Sequence, residues 1–343
     1  MVQGGKAMLR DTGIRPCPKV LARLALAAFA AVSVTSAGGT AKAQDKWPDR
    51  PIRVLVPFAP GGVTDSIGRL SAEWLGKSLG QPAPVENRSG ANGAIAAEAV
   101  ARSAPDGYTL LTASASQMVM LPALMQLNFD PAKDFAPVSI VASNPMVLAV
   151  SSSLNVTTLK DFVALAKVQA GKLDYSSAGN GSSTHLAMAL LMKRAGIEMQ
   201  HVPYRGGAPA MQALLTGEVA AYFGNPSDMI PHLGGGRIHV LAVAGTERIA
   251  SLPGVPTVAE SGYPEFRAET WNGLAAPAGT PAAAIRRMAS ALGEACADAK
   301  FRDSLERLGT TPVCSTPEAF AEAMRRDAPL WQEAVRISGA RLE

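Results

Sequence analysis

Residues 53–80, RVLVPFAPGGVTDSIGRLSAEWLGKSLG, limit the possible fold more than any other stretch of the 343-residue chain. Val54-Leu55-Val56 is an apolar run with the length of a buried strand, and Pro57, Pro60, Gly61 and Gly62 end it. Thr64 and Asp65 offer capping side chains, and Ile67, Leu70, Trp74 and Leu75 then recur at helical spacing. The unit reads as strand, tight loop, helix. Its loop presents N–H groups unpaired within the helix at the positive end of the helix dipole, and glycines let an anion come close. The stretch has neither the Lys-Ser/Thr of a P-loop nor G-x-G-x-x-G spacing, so it is no phosphate fingerprint. Spacing alone leaves a carboxylate-holding loop and a plain turn equally open.

The same alternation recurs downstream. Residues 83–86 read as a short strand, followed by the polar Gly-rich loop 87–93 and a helix over 94–103. A strand over 108–113 ends in Ser114-Ala115-Ser116. The order βαβαβ implies a parallel sheet with right-handed crossovers. Ligands of such sheets bind beyond the carboxyl ends of the strands, which puts the loops at Pro57, Asn87 and Thr112 at one rim, with Ser114 just after. The long apolar stretch 135–150 is interrupted at Ser143-Asn144-Pro145, as in a strand that leaves one domain and enters another.

From Thr158 the alternation restarts: helix 159–169, strand 173–176, then Ser177-Ala178-Gly179-Asn180-Gly181-Ser182-Ser183-Thr184-His185 opening a second helix. This loop repeats the first in mechanism though not in letters; its hydroxyls fit either an anion site or ordinary helix capping. Strands at 199–203, 219–223 and 238–244 follow, with Tyr204-Arg205-Gly206-Gly207 after the first of them and a short helical segment over 228–233. Residues 269–275, containing Trp271-Asn272-Gly273, are apolar enough to cross back, and helices over 281–299 and 317–337 end the sequence. Arg205 is a candidate carboxylate partner.

Residues 1–43 read as a secretory leader rather than fold: Arg10, Arg15, Lys19 and Arg23, then an apolar run over 24–34, then Ala41-Lys42-Ala43 as a cleavage site, with Met8 as an alternative start. The leader holds six of the chain's 32 Lys and Arg and one of its 28 Asp and Glu. The mature part therefore carries 26 basic and 27 acidic side chains, and nothing in it calls for nucleic acid or an anionic membrane as partner. About 300 residues suffice for two cores. Cys296 and Cys314 remain after cleavage; an oxidising compartment allows a disulfide, and two buried free thiols are the slightly favoured arrangement.

The four histidines, His185, His201, His232 and His239, show no H-x-x-x-H spacing, and no G-x-S-x-G elbow occurs, so neither a metal site nor a serine hydrolase is indicated. Ser182 with His185 sits too close in sequence to form a nucleophile–base pair across a helix start, and no acidic orienter is evident.

Ordered blocks of residues resemble a known family over nearly all of the mature chain. They include Trp47-Pro48-x-Arg50-Pro51-Ile52, Val56-Pro57-Phe58-x-Pro60-Gly61-Gly62 with Asp65 and Arg69, Val85-Glu86-Asn87-Arg88-x-Gly90-Ala91, and Pro105-Asp106-Gly107-Tyr108-Thr109-Leu110. Further on come Val202-Pro203-Tyr204-Arg205-Gly206, Pro253-x-Val255-Pro256-Thr257-Val258-x-Glu260-x-Gly262, and Trp271-x-Gly273-Leu274 with Ala276-Pro277-Ala278-Gly279-Thr280-Pro281. The chain looks like the Bug-type periplasmic solute receptors, the TctC-like binding proteins of tripartite tricarboxylate transporters.

The resemblance implies an α/β, type II periplasmic-binding-protein fold: two lobes, two crossover segments and a ligand cleft between them. It divides the chain into lobe 1 (44–143 and 269–343) and lobe 2 (144–268), with Asn144 at the crossover. It implies that one ligand carboxylate is held, partly through ordered water, by the first loop at Phe58, Ala59, Gly61, Gly62, Thr64 and Asp65. Thr112, Ser114 and Asn144 join the list from their rim positions. Gly179, Ser182, Ser183 and His185 would contribute from the second loop, with Tyr204 and Arg205 near the cleft. Many members carry an acidic residue shortly after the strand ending at Phe223, where this chain has Gly224-Asn225, which disfavours an amine-bearing ligand. The expected protein is a monomeric periplasmic receptor without cofactor, metal or catalysis. It would capture a di- or tricarboxylate or aromatic acid for membrane transporter subunits by hinge closure. The alternatives are a secreted hydrolase using the same cleft and a ligand-sensing partner of a membrane signalling protein.

Overall fold

The computed structural model describes residues 47–342, and from Pro48 onward the chain forms one compact unit. The expected leader lies outside the described residues. No helix among them is long and apolar enough to cross a membrane.

Two sheets carry the fold. The first begins with β1 (Arg53–Val56), β2 (Val85–Asn87) and β3 (Thr109–Ser114), which pair in parallel in the order β2-β1-β3. Helices α1 (Val63–Leu79) and α2 (Ala94–Ala101) make the crossovers, as the alternating pattern requires. Beyond β3, a turn of π-helix (Ser116–Met120) runs into the short α3 (Leu121–Leu124).

The long apolar stretch is two strands. β4 (Phe135–Pro145) belongs to the first sheet and β5 (Val147–Ser151) to the second, and Met146 between them is fully buried. The second sheet adds β6 (Asp174–Ser177), β7 (Gln200–Pro203), β8 (Ala221–Gly224) and β9 (Ile238–Val243), in the order β7-β6-β8-β5-β9. Its crossover helices are α5 (Ser183–Ala195) and α6 (Gly207–Thr216), and α4 (Leu159–Val168) precedes β6. α7 (Pro226–Met229) follows β8.

The chain returns through β10 (Glu269–Pro277), which lies antiparallel between β3 and β4, and β11 (Thr311–Pro312) closes the far edge. Gly273 is required in β10, because a Cβ there would stand 2.2 Å from the Ser139 carbonyl oxygen. Helices α8 (Ala282–Ala297), α9 (Ala299–Arg307) and α10 (Pro317–Ser338) complete the chain; α9 was hidden in sequence, where its apolar positions are reduced to Phe301 and Leu305. α10 packs on β4 of the first sheet and on α5, a crossover helix of the second.

Cys296 and Cys314 form a disulfide, with Cα atoms 6.0 Å apart. This corrects the expectation of two buried thiols: both residues are half-buried at the edge formed by α8 and the segment after β11, within bridging reach.

Candidate functional site

The first loop gets its shape from a carboxylate behind it. Asp65 is buried, 3% exposed, and accepts hydrogen bonds from the Gly61 N–H at 3.0 Å, Arg69 Nε at 3.0 Å and Asn87 Nδ2 at 2.7 Å. Asn87 Nδ2 also donates to the Phe58 carbonyl. Burial pushes the Asp65 carboxyl up, but the hydrogen bonds from Arg69, Asn87 and Gly61 outweigh it and hold the group below the usual carboxylate range. The helix start differs from the sequence reading: neither Thr64 nor Asp65 is the N-cap. Gly62 takes that place with no side-chain cap. The first N–H groups of α1 are therefore left for a ligand or for water.

The second loop is built differently. Ser182 caps α5 by accepting the His185 backbone N–H, and its hydroxyl donates to the Gly179 carbonyl. The Thr184 hydroxyl accepts the Ala178 N–H. Beneath them His185 Nδ1 accepts the Gly181 N–H at 3.2 Å, which places that imidazole's proton on Nε2 in the neutral form. Its ring stacks on His201 with centroids 3.8 Å apart, and His201 stacks on Tyr175. Burial, with a smaller contribution from His201, pulls the His185 imidazole down to about 4.

Between the loops lies a cleft of about 430 Å³, within the usual range for a small-molecule site. From the first sheet it is lined by Phe58, Val63, Thr64, Asn92, Ser114, Ala115, Ser116, Met120 and Leu124. The second-sheet loop contributes residues 178–183, and Asn225 comes from the start of α7. The crossing strands bring Asn144, Thr270, Trp271 and Asn272, and Leu342 follows α10. No lining residue bears a charge. Five asparagines and several hydroxyls share the lining with the apolar side chains of Phe58, Val63, Met120, Leu124, Trp271 and Leu342.

Hydrogen bonds fix the crossing strands against the first loop. Asn144 Nδ2 donates to Asn272 Oδ1 at 3.1 Å, and Asn272 Nδ2 donates to Thr64 Oγ1 at 2.9 Å. Trp271 Nε1 donates to Asp327 of α10, which also accepts from Arg267 and Arg326. On the first-sheet rim, Gln117 is fully buried and joins two loops. Its Oε1 accepts from the Ser114 N–H and hydroxyl, and its Nε2 donates to the Asn92 carbonyl.

Of the residues singled out in sequence, the structure brings Phe58, Thr64, Ser114, Asn144, Gly179, Ser182 and Ser183 together on the cleft. The others do not line it. Ala59, Gly61 and Gly62 are exposed on the first loop, and Asp65 sits behind that loop. Thr112 is fully buried under α1, where a Cβ on Gly68 would come within 2.6 Å of its Oγ1. It lies two residues deeper in β3 than Ser114, too far from the strand end to reach the rim. His185 is buried beneath the second loop. The Tyr204 hydroxyl donates to Glu218, and Arg205 is exposed away from the lining.

Asn92, Ser116, Met120, Leu124, Asn225, Thr270, Trp271, Asn272 and Leu342 were missed as lining residues. Trp271-Asn272-Gly273 and Gly224-Asn225 were visible as motifs; nothing marked Leu342. Asp228, the first acid after β8, accepts the Tyr222 hydroxyl and the Asn225 N–H and is outside the lining. No nucleophile–base pair is assembled at Ser182, since it meets only the backbone of His185 while the imidazole faces Gly181. Among the described residues no cluster of His, Cys, Asp or Glu could hold a metal ion.

Two α/β sheets with strands crossing twice between them, and a neutral polar cleft where they meet, define a solute-binding protein of the periplasmic type. The comparisons agree. Residues 67–333 match the family described as the tripartite tricarboxylate transporter family receptor, TctC. BugT of Bordetella pertussis is 36% identical over 93% of this chain and 98% of its own. A protein of R. palustris solved with adipate shares 32% identity at a TM-score of 0.74, over 86% of this chain and 100% of that one. MatC of Rhodopseudomonas palustris, solved with bound malate, shares 33% at a TM-score of 0.70, over 84% of this chain and 100% of that one. The chain belongs to the TctC receptor family.

Proposed function

We propose that this chain is a periplasmic receptor that captures a small organic carboxylate, a di- or tricarboxylate or an aromatic acid, and hands it to a tripartite tricarboxylate-type transporter. The observation that carries the reading is the lining itself: it holds no charged side chain, yet the first turns of α1 and α5 reach it from opposite sides at Thr64 and Ser183. Helix N-termini and neutral donors suit a carboxylate and give an ammonium group no anionic partner. The adipate and malate bound by two relatives support the same ligand class. A ligand that touches both loops favours the conformation in which they face each other, and the receptor works by that closure, as a monomer.

The test is a thermal-shift screen of the mature protein against C4–C8 dicarboxylates, citrate and aromatic acids. A ligand at a hundred times its Kd adds about 2.7 kcal/mol and raises Tm by several degrees. At least one acid gives this rise, and Ser183→Trp, which fills the cleft at the first turn of α5, abolishes it. A flat response across the panel from well-folded protein overturns the reading, and conversion of a bound acid to product would replace it with an enzyme.

A further inference from the structure

The segment after α10 is part of the cleft. Gly339 ends the helix in the left-handed conformation, φ 65°, and turns residues 340–342 back toward the two loops. Ala340 is buried, its N–H bonded to the Ser338 hydroxyl. The next two residues make one hydrogen bond to each side of the cleft. The Arg341 carbonyl accepts from Asn180 Nδ2 of the second loop at 3.3 Å, and the Leu342 N–H donates to the Leu124 carbonyl of α3 at 3.1 Å. The Leu342 side chain then lies with Leu124 over Gly181, where an added Cβ would be 3.7 Å from Leu342 Cγ and 3.0 Å from Leu124 Cδ2. Leu124, Leu342 and Gly181 all line the cleft.

From this arrangement, which rests on the carboxylate reading of the site, we propose that Leu342 is a specificity-determining residue. With Leu124 it forms an apolar wall of the cleft and sets the length of acid that fits. The acid's carboxylates meet the polar loops, and the methylene chain between them lies against the two leucines. Gly181 is small because the leucines pack on it; with φ +71° it also adopts a backbone conformation that a larger residue resists. An apolar wall discriminates by fit, with one surplus or missing methylene costing about tenfold in affinity or more.

The experiment is titration calorimetry of the linear dicarboxylates from four to eight carbons with wild type, Leu342→Ala and Leu342→Trp. Leu342→Ala moves the best-bound member to a longer acid, and Leu342→Trp to a shorter one, each reversing the preference between neighbouring lengths by about tenfold or more. A variant lacking residues 340–343 behaves as Leu342→Ala does and separates the loss of the wall from any effect of the new side chain. An unchanged order of the acids in all variants, with wild type binding them, overturns the proposal and leaves the carboxylate reading intact. Failure of wild type to bind any acid overturns both.

Discussion

The imidazole of His185 makes the receptor's stability fall in mild acid by an amount the structure sets. The ring is 4% exposed, stacked on His201, and uses Nδ1 to accept the Gly181 N–H, so the folded protein holds it neutral down to about pH 4. In the unfolded chain the same group takes up its proton near 6.5. Between those values the unfolded state binds more protons, so this contribution is complete above pH 6.5 and disappears as the pH falls to about 4. Moving one proton-binding site from 6.5 to about 4 corresponds to about 3 kcal/mol.

His185→Asn removes the titration while its Oδ1 can still accept from Gly181. Urea unfolding of both proteins from pH 7.5 to 4 is the assay, and the difference between them cancels the carboxylates that titrate in the same range. Wild type loses about 3 kcal/mol more than the variant between pH 6.5 and 4. Ligand affinity holds over most of that window, because the folded imidazole stays neutral and keeps its lone pair for Gly181, and falls only as the pH approaches 4. Parallel stability curves over that window would show that His185 is not the buried neutral group described.

Asp65→Ala leaves the Gly61 N–H, Arg69 and Asn87 without their acceptor and destabilises the protein by about 3 kcal/mol, with loss of the ligand-induced Tm rise. Asp65→Asn, which keeps one acceptor oxygen, falls between it and wild type. The carboxyl titrates below 3.8, so its support is complete above that pH and lost only as the pH falls through the lowered value; an unaltered acid response in Asp65→Asn counts against this. Cys296→Ser/Cys314→Ser opens a covalent loop between residues 18 apart and costs about 3 kcal/mol in urea unfolding, and a reductant then affects wild type only. Wild-type unfolding that ignores the reductant refutes the structural role.

Local pattern made the strand–loop–helix units legible, because each rests on an apolar run followed by Pro or Gly and then by helical spacing. Phe58, Thr64, Ser182 and Ser183 reach the cleft because they belong to the loops at strand ends, a position topology assigns without contacts. The residues that stand off the cleft have a different origin. Asp65, His185 and Thr112 stand beside the loops in sequence, yet their side chains turn inward, and only packing against Arg69, His201 and Gly68 decides that. Leu342 and Leu124 come from elements over 200 residues apart and meet over Gly181, and no spacing rule joins such residues. The cysteines were undecidable for the same reason, since the bridge depends on how α8 lies against the segment after β11.

The cleft separates two tasks that a salt-bridged site would merge. Ionisable groups are present behind the lining, but each is occupied in holding a loop or a side chain of the site in place. Asp65 orders the first loop, His185 the second, Asp228 the turn at Asn225, and Asp327 holds the indole of Trp271. What remains to meet a ligand is neutral: amide groups, hydroxyls, and the first turns of two helices. A fixed Lys or Arg in the cleft would attract any anion of sufficient charge, and its desolvation would offset part of the gain on binding. Oriented dipoles act over one turn of helix, so a carboxylate held by them would sit at their mouth, and discrimination would fall to shape and to the apolar lining. On the proposed carboxylate reading, discrimination between one acid and another is therefore expected of apolar lining side chains such as Leu124 and Leu342, rather than of the charged residues that a motif search notices first.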